Sequence, residues 1–188
     1  MNWKALAIGV AVSAALLSAC SPDAPSPAAP PPPAAKPVAT PAPVPSANTI
    51  AIITPAGEIL LELLPDKAPQ TVTEFKRLAA EGFYNGTTFH RVVKGSLVQG
   101  GDPLSKDPDP SNDGEGTSGR LIPGEINDVP MQAGAVAMAH PGDPNQASCQ
   151  FFICVKNHPE WQGQFTVFAR VAGGMDVVEK ISAASVGT

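Results

Sequence analysis

From Asn48 to Ala183 the apolar residues fall in short runs broken by turn-forming residues, and the period of those runs separates strands from helices. Asn48 to Thr54 and Glu58 to Leu64 are joined by Pro55-Ala56-Gly57, which predicts a hairpin. Pro69 opens a helix with Val72, Phe75, Leu78 and Ala79 on one stripe and Glu74, Lys76 and Arg77 off it. Glu81-Gly82 ends it. After the Asn85-Gly86 turn come two short strands, Thr88 to Val93 and Leu97 to Gly100. Residues 102–119 are rich in Pro, Asp and Gly and carry no apolar period, as a functional or mobile loop would. Strands are expected again at Gly134 to His140, Gln150 to Val155 and Phe165 to Val171. Gly173-Gly174 then opens a helix from Met175 to Ala183, with Val177, Val178 and Ile181 facing inward. Many short strands with two helices predict an antiparallel β-barrel or sandwich.

The first 47 residues read differently. Residues 1–19 have the pattern of a signal peptide: Lys4 supplies the positive start, and Ala5 to Leu17 is an apolar run too short to span a membrane well. Leu17-Ser18-Ala19-Cys20 resembles a bacterial lipobox. That resemblance implies cleavage before Cys20, a lipid on Cys20, and a membrane anchor made of several acyl chains. The plainer reading is an ordinary signal peptide that happens to hold a cysteine. Ser21 in the next position resembles the outer-membrane sorting signal of Gram-negative lipoproteins, and implies a protein facing the periplasm. Residues 20–47 are Pro, Ala, Ser and Val, including the run Pro30 to Pro33. Such a segment buries too little apolar surface to order itself, and its prolines favour an extended spacer. Residues 48–188 then remain for one domain with a core of its own.

Charge and cysteine count narrow the chemistry. A net charge of −5 argues against a nucleic-acid surface. Cys149 and Cys154 bracket one expected strand, which would hold them roughly 16 Å apart, too far for a disulfide. Both are expected to be free thiols, and Cys154 with His158 finds no second ligand pair for a metal.

The densest stretch is FHRVVKGSLVQGGDP, residues 89–103, where Arg91 and Gln99 stand among apolar strand residues beside Gly100-Gly101. With it go Gly82-Phe83-Tyr84-Asn85-Gly86-Thr87-Thr88, Met138-Ala139, Gln150-Phe151-Phe152-Ile153 and Thr166-Val167-Phe168. In this order and spacing, the chain from about Thr49 to Ile181 resembles the cyclophilins, the peptidyl-prolyl cis-trans isomerases. The resemblance implies a mainly β fold, a closed eight-stranded antiparallel barrel capped by two α-helices. It also implies a groove on the outside of the barrel that takes proline-containing polypeptides. Arg91 and Gln99 match the catalytic positions; Phe89, Leu97, Ala139, His140, Gln150, Phe152 and Phe165 match the substrate-binding ones.

The chemistry suits those residue types. An X–Pro bond rotates over a barrier of about 18–20 kcal/mol because its amide is conjugated. At the twisted transition state the prolyl nitrogen gains a lone pair. A donor aimed there binds the twisted form better than either planar one. Arg91 is always charged and offers several N–H donors; Gln99 can hold it. The backbone of His140 matches a position that pins the residue before proline. His90 reads as a hydrogen-bonded scaffold residue, since isomerisation moves no proton. No nucleophile, metal or cofactor is required. A lone arginine on a strand is ordinarily a solvated surface residue; the surrounding motif changes that reading.

The chain departs from the family in three places. Ser96 stands where many cyclophilins place a Phe in the proline pocket, which predicts a weaker grip. Trp161 lies one residue away from the tryptophan with which eukaryotic members bind cyclosporin, which extends the expected ligands to cyclosporin-type ones. No apolar run follows Ile181 to supply the final strand. That implies either an open edge at 48–54 or a truncated sequence. The expectation is a monomeric, lipid-anchored prolyl isomerase assisting envelope protein folding. The alternative is a cyclophilin-like module that binds proline-containing peptides with little turnover.

Overall fold

The computed structural model describes residues 48–184; Cys20, the signal segment and the Pro/Ala-rich stretch lie outside them. The chain first forms the strands β1 (Thr49–Thr54) and β2 (Gly57–Leu63), then the helix α1 (Pro69–Ala80). Strands β3 (Arg91–Val93), β4 (Leu97–Gly100), β5 (Ala135–Met138), β6 (Phe151–Cys154) and β7 (Val167–Gly173) follow, and α2 (Met175–Ala183) closes the series. The strands build one antiparallel sheet in the order β1-β2-β7-β5-β6-β4-β3.

The expected hairpin is β1–β2. Thr54 pairs with Gly57, whose φ of +136° suits glycine, and Thr54 Oγ1 donates to the Gly57 carbonyl at 2.7 Å. Helix α1 has Pro at its first turn, where no amide donor is needed. Its free amides are capped from far along the chain. Glu125 accepts from the backbone N–H of Gln70 at 3.0 Å and of Thr71 at 2.8 Å, so a carboxylate sits on the positive end of the helix. The buried face of α1 is Thr71, Val72, Phe75, Leu78 and Ala79, and that of α2 is Val177, Val178, Ile181 and Ser182.

The closed eight-stranded barrel is corrected. Among the described residues the sheet has seven strands and curls into a half-barrel, with β1 and β3 as unjoined edges. Shifts of register at Leu60/Leu61 and Val136/Ala137 bend it. Helix α2 packs against β2, β3 and β4, with Ser182 Oγ accepting from the Gly95 amide at 2.7 Å. A helix thus covers ground that further curling would close.

Several strands are shorter than expected. Thr88 to His90 are not in the ladder, because their partner strand ends at Gly100 and turns away at Gly101, φ +86°. Strands β5 and β6 lose their outer residues to the loops that flank the groove. Two single turns of 3₁₀ helix, Leu104–Lys106 and Pro110–Asn112, punctuate the long loop. None of the described helices is long and apolar enough to cross a membrane.

The core has two parts. Ile52, Ile59, Leu61, Phe75, Tyr84, Phe151, Ile153 and Phe168 belong to the larger one, inside the curl. Leu97, Met131, Ala135, Ala137, Phe152, Cys154 and Val167 form a second cluster, with Ala139, Trp161 and Phe165 packed on it. Strand β6 feeds both: Phe151 and Ile153 enter the first, Phe152 and Cys154 the second. Cys149 and Cys154 are free thiols in different clusters.

Burial pushes the Cys149 thiol up to about 11 and the Cys154 thiol up to about 12. It also drives the Tyr84 phenol, which donates to the Cys149 carbonyl at 3.1 Å, well above its usual range. Unfolded thiols ionise near 8.5, so the unfolded chain loses these protons first as pH rises. Stability from these groups is therefore complete below about pH 8.5 and is lost as pH climbs through the folded thiol values. Melting temperatures between pH 8 and 11 should fall, and less steeply in a Cys149→Ala/Cys154→Ala double variant. An unchanged slope there would contradict this.

Candidate active site

Register places the motif residues in one row across the sheet. Arg91 on β3 pairs with Gln99 on β4, Gln99 with Phe152 on β6, and Phe152 with Ala137 on β5. Directly opposed residues of antiparallel strands share a face, so Arg91, Gln99 and Phe152 project to the same side. Leu97, two residues from Gln99, joins them there. This is the outer side, away from Phe151 and Ile153.

A polar chain runs along the row. Arg91 Nη1 donates to Gln99 Oε1 at 3.2 Å, and Gln99 Nε2 donates to Gln150 Oε1 at 3.0 Å. Gln150 Nε2 donates in turn to the carbonyls of Gly114 and Gly116, at 2.8 and 2.9 Å. The 102–119 loop is thereby tied to the sheet. Its base is held by Asp102, fully buried, which accepts from the Leu104 amide at 2.8 Å and, through its other oxygen, from the Gly114 amide. Gly116 lies so close that a Cβ there would meet Asp102 Oδ1 at 1.9 Å. A side chain at Gly101 would likewise meet the Cys149 carbonyl at 2.7 Å.

Beside the polar chain stands an aromatic group. Phe152 meets Phe165 at 5.1 Å and 84°, and Trp161 at 5.8 Å and 90°; Trp161 and Phe165 are 6.0 Å apart. Such edge-to-face contacts suit the ring quadrupoles. His140 lies against Phe165 with centroids 4.7 Å apart. Its Nδ1 accepts from the Gly142 amide at 3.2 Å, which leaves Nε2 to donate to the Gln164 carbonyl at 3.1 Å. Ala139 is pinned to the Gln150 carbonyl through its own amide, at 2.9 Å.

Of the residues singled out by sequence, Arg91, Leu97, Gln99, Ala139, His140, Gln150, Phe152, Trp161 and Phe165 all line one groove of about 2270 Å³. Phe89 also lines the groove, but it belongs to the inner core, edge-on to Phe151 at 6.4 Å. Ser96 is corrected: it is not in the groove wall, and its hydroxyl meets His158 Nε2 at 3.0 Å.

His90 is partly buried, and burial holds its pKa below the usual value against the pull of Asp102, Asp113 and a backbone hydrogen bond with Thr88. Sequence reasoning missed Asp102 and the carbonyls of Gly114 and Gly116. The Gly-Asp and Gly-x-Gly spacings were the available signals. No three His, Cys, Asp or Glu residues among those described are grouped to hold a metal.

Comparison with known proteins points one way. Residues 49–188 match the family model for the cyclophilin type peptidyl-prolyl cis-trans isomerases. A probable peptidyl-prolyl cis-trans isomerase of Brucella suis is 41% identical over 143 residues, covering 73% of this chain and 73% of its own. A peptidyl-prolyl cis-trans isomerase of Helicobacter pylori is 41% identical over 134 residues, covering 69% and 77%. Among solved structures, a cyclophilin type isomerase of Cryptosporidium parvum, crystallised in the presence of the dipeptide Ala-Pro, superposes with a TM-score of 0.67. It is 28% identical and covers 74% of this chain and 87% of its own.

Replacing Gln150 by alanine removes the link from Gln99 to the Gly114 and Gly116 carbonyls. Stability should drop by about 1 kcal/mol, and amide hydrogen exchange should quicken within residues 102–119 far more than in α1. Unchanged exchange in that loop would show that other contacts hold it.

Proposed function

The chain belongs to the cyclophilin-type peptidyl-prolyl cis-trans isomerase family, and we propose that Arg91, held by Gln99, is the group that accelerates rotation about X–Pro bonds. The observation that carries this reading is the row of Arg91, Gln99 and Phe152. It sets a permanent cation beside an apolar aromatic group on one face.

A proline ring seated against Leu97, Phe152, Trp161 and Phe165 would bury its apolar surface in the planar and the twisted forms of the X–Pro bond alike. That contact alone lowers KM and leaves the barrier unchanged. Arg91 adds what differs between the forms. The prolyl nitrogen accepts a hydrogen bond only when its lone pair is released by twisting, so a guanidinium N–H aimed at it favours the transition state. Gln99 restricts the guanidinium through its 3.2 Å hydrogen bond, which lowers the entropy lost when the donor is engaged. Ala139 and the His140 backbone would hold the residue before proline, and Gln150 with Phe89 would complete the groove. The similarity to a structure obtained with Ala-Pro supports a proline-containing peptide as occupant.

The envelope setting is part of the same proposal and rests on sequence. The lipobox-like run ending at Cys20 would place a lipid on that residue, and residues 20–47 would hold the domain off an outer membrane on its periplasmic side. There the enzyme would act as a monomer on proline-containing envelope proteins.

Arg91 is exposed and removes little packing when truncated, so Arg91→Ala should change the melting temperature little. NMR exchange on an X–Pro peptide should show isomerisation reduced by about a hundredfold or more, the range for losing an electrostatic donor. Near-parental exchange in the folded variant would rule Arg91 out.

Lipidation has its own check. Cys20→Ala should move the protein from the membrane to the soluble fraction; a variant that still sediments with membranes would show that Cys20 is not the anchor.

A further inference from the structure

We propose that Ser96, His158 and Glu160 form a clamp that fixes the indole of Trp161 as a wall of the groove. Ser96 and His158 are then positioning residues for the proline site, an inference that rests on the isomerase reading above.

His158 is buried, its side chain 3% exposed, and both ring nitrogens are engaged. Nδ1 lies 2.7 Å from Glu160 Oε1, and Nε2 lies 3.0 Å from Ser96 Oγ. The Glu160 carboxylate can only accept, and its hydrogen bond to His158 holds its pKa below the usual value. Nδ1 therefore carries a proton, and the Nε2 edge is held by both oxygens of Ser96, its hydroxyl at 3.0 Å and its carbonyl at 3.3 Å. With both edges held, the imidazole cannot turn about its bond to Cβ without breaking a buried hydrogen bond.

That ring is stacked on Trp161, with centroids 3.7 Å apart and planes 3° from parallel. The same indole also meets the aromatic group. Trp161 meets Phe152 at 90° and Phe165 at 64°. Trp161, Phe152 and Phe165 line the groove, whereas His158, Ser96 and Glu160 do not. The clamp thus lies behind the wall. Its ends come from the β3–β4 turn and from the loop after β6, so it also fixes that loop to the sheet. The backbone repeats the link, with the Val155 amide donating to the Ser96 carbonyl at 2.7 Å.

The order serine–histidine–carboxylate is also that of a hydrolytic nucleophile. Here the amides that could bind an oxyanion are already used. Ser96 N–H donates to the Val93 carbonyl at 2.9 Å, and Gly95 N–H donates to Ser182 Oγ at 2.7 Å. Without free donors beside the hydroxyl, the relay holds a ring and does not attack a carbonyl.

The test uses the full chain carrying Trp3→Phe, so that Trp161 is the only indole. The probe is a blocked Ala-Ala-Pro-Phe peptide, with binding read from Trp161 emission and turnover from NMR exchange. Ser96→Ala should raise Kd and KM about threefold to tenfold, the worth of one aromatic contact. It should change kcat less and shift the emission of Trp161 to the red. Ser96→Thr, which keeps the hydroxyl, should restore both. Glu160→Ala, at an exposed position, should move Kd and emission in the same direction and serves if Ser96→Ala does not fold.

With binding in these two variants read by NMR titration of the peptide, combining Ser96→Ala with Trp161→Ala should weaken binding no further than Trp161→Ala alone, because one acts through the other. Unchanged Kd and emission in the folded Ser96 and Glu160 variants, or additive losses in the double variant, overturn the proposal. So does a parental chain that binds no peptide. A parental chain that binds peptide without turnover refutes the isomerase assignment while the clamp stands on Kd.

Discussion

Consecutive residues of a strand leave a sheet on opposite sides, and in this protein β6 uses that constraint to serve two apolar clusters at once. Phe151 and Ile153 fill the interior of the half-barrel; Phe152 and Cys154 build the outer cluster against which the groove forms. Because β6 lies between β4 and β5, its register sets theirs. A slip of one residue would send Phe152 inward and carry Gln99 and Arg91 out of line with it. Slippage is opposed on both faces, since every residue of β6 is buried. The site is therefore as well fixed as the core, although Arg91 itself is exposed.

The loop over the groove depends on that register through hydrogen bonds between side chains and its backbone. Gln150 stands just before β6 and reaches the carbonyls of Gly114 and Gly116, while Asp102 closes the base of the loop from just after β4. A long segment without a strand period would otherwise have little to order it. Glycine at position 116 is what lets the chain pass within reach of both partners, for a Cβ there would overlap Asp102. The polar residues of the motif thus carry two tasks, orienting Arg91 and anchoring the loop.

Local signals were legible where local chemistry decides the structure. Helix α2 begins after Gly174, whose φ of +79° brings it against the Glu58 carbonyl with no room for a side chain. Helix α1 begins at Pro69, as its missing amide donor suggests. The stretch around Arg91 and Gln99 reads as strand-turn-strand, and β3 and β4 pair these two residues as such a unit would. Long-range partners were not legible. Nothing near Pro69 announces that Glu125 caps α1, and nothing near Ser96 announces His158, which lies 62 residues on. Ser96 read from its neighbours is a gap in a wall; read with His158 and Trp161 it is the support behind one. The expectation of closure failed for a similar reason. It came from likeness of motifs, whereas closure depends on whether two distant edges find a common strand.

Arg91 differs from the other arginines of the described region in the kind of partner it has. Arg77 is bonded to Glu74 and Glu81, Arg120 lies 3.7 Å from Glu74, and Arg170 is bonded to Glu62. Arg91 is bonded to the amide of Gln99, and the chain of partners behind it ends on backbone carbonyls. A carboxylate at position 99 would hold the guanidinium more tightly, since charge-assisted hydrogen bonds are about twice as strong as neutral ones. It would also neutralise the charge and take up two donors in a fork. The role proposed for Arg91, meeting a lone pair that exists only during rotation, would need the opposite arrangement. The guanidinium would have to be oriented beforehand, keep its charge, and hold donors free until the nitrogen turns toward them. An amide acceptor supplies the orientation at the smallest cost to the other two. The exposed position of Arg91 fits the same requirement, because a fully buried guanidinium without a counter-ion would be expensive to maintain.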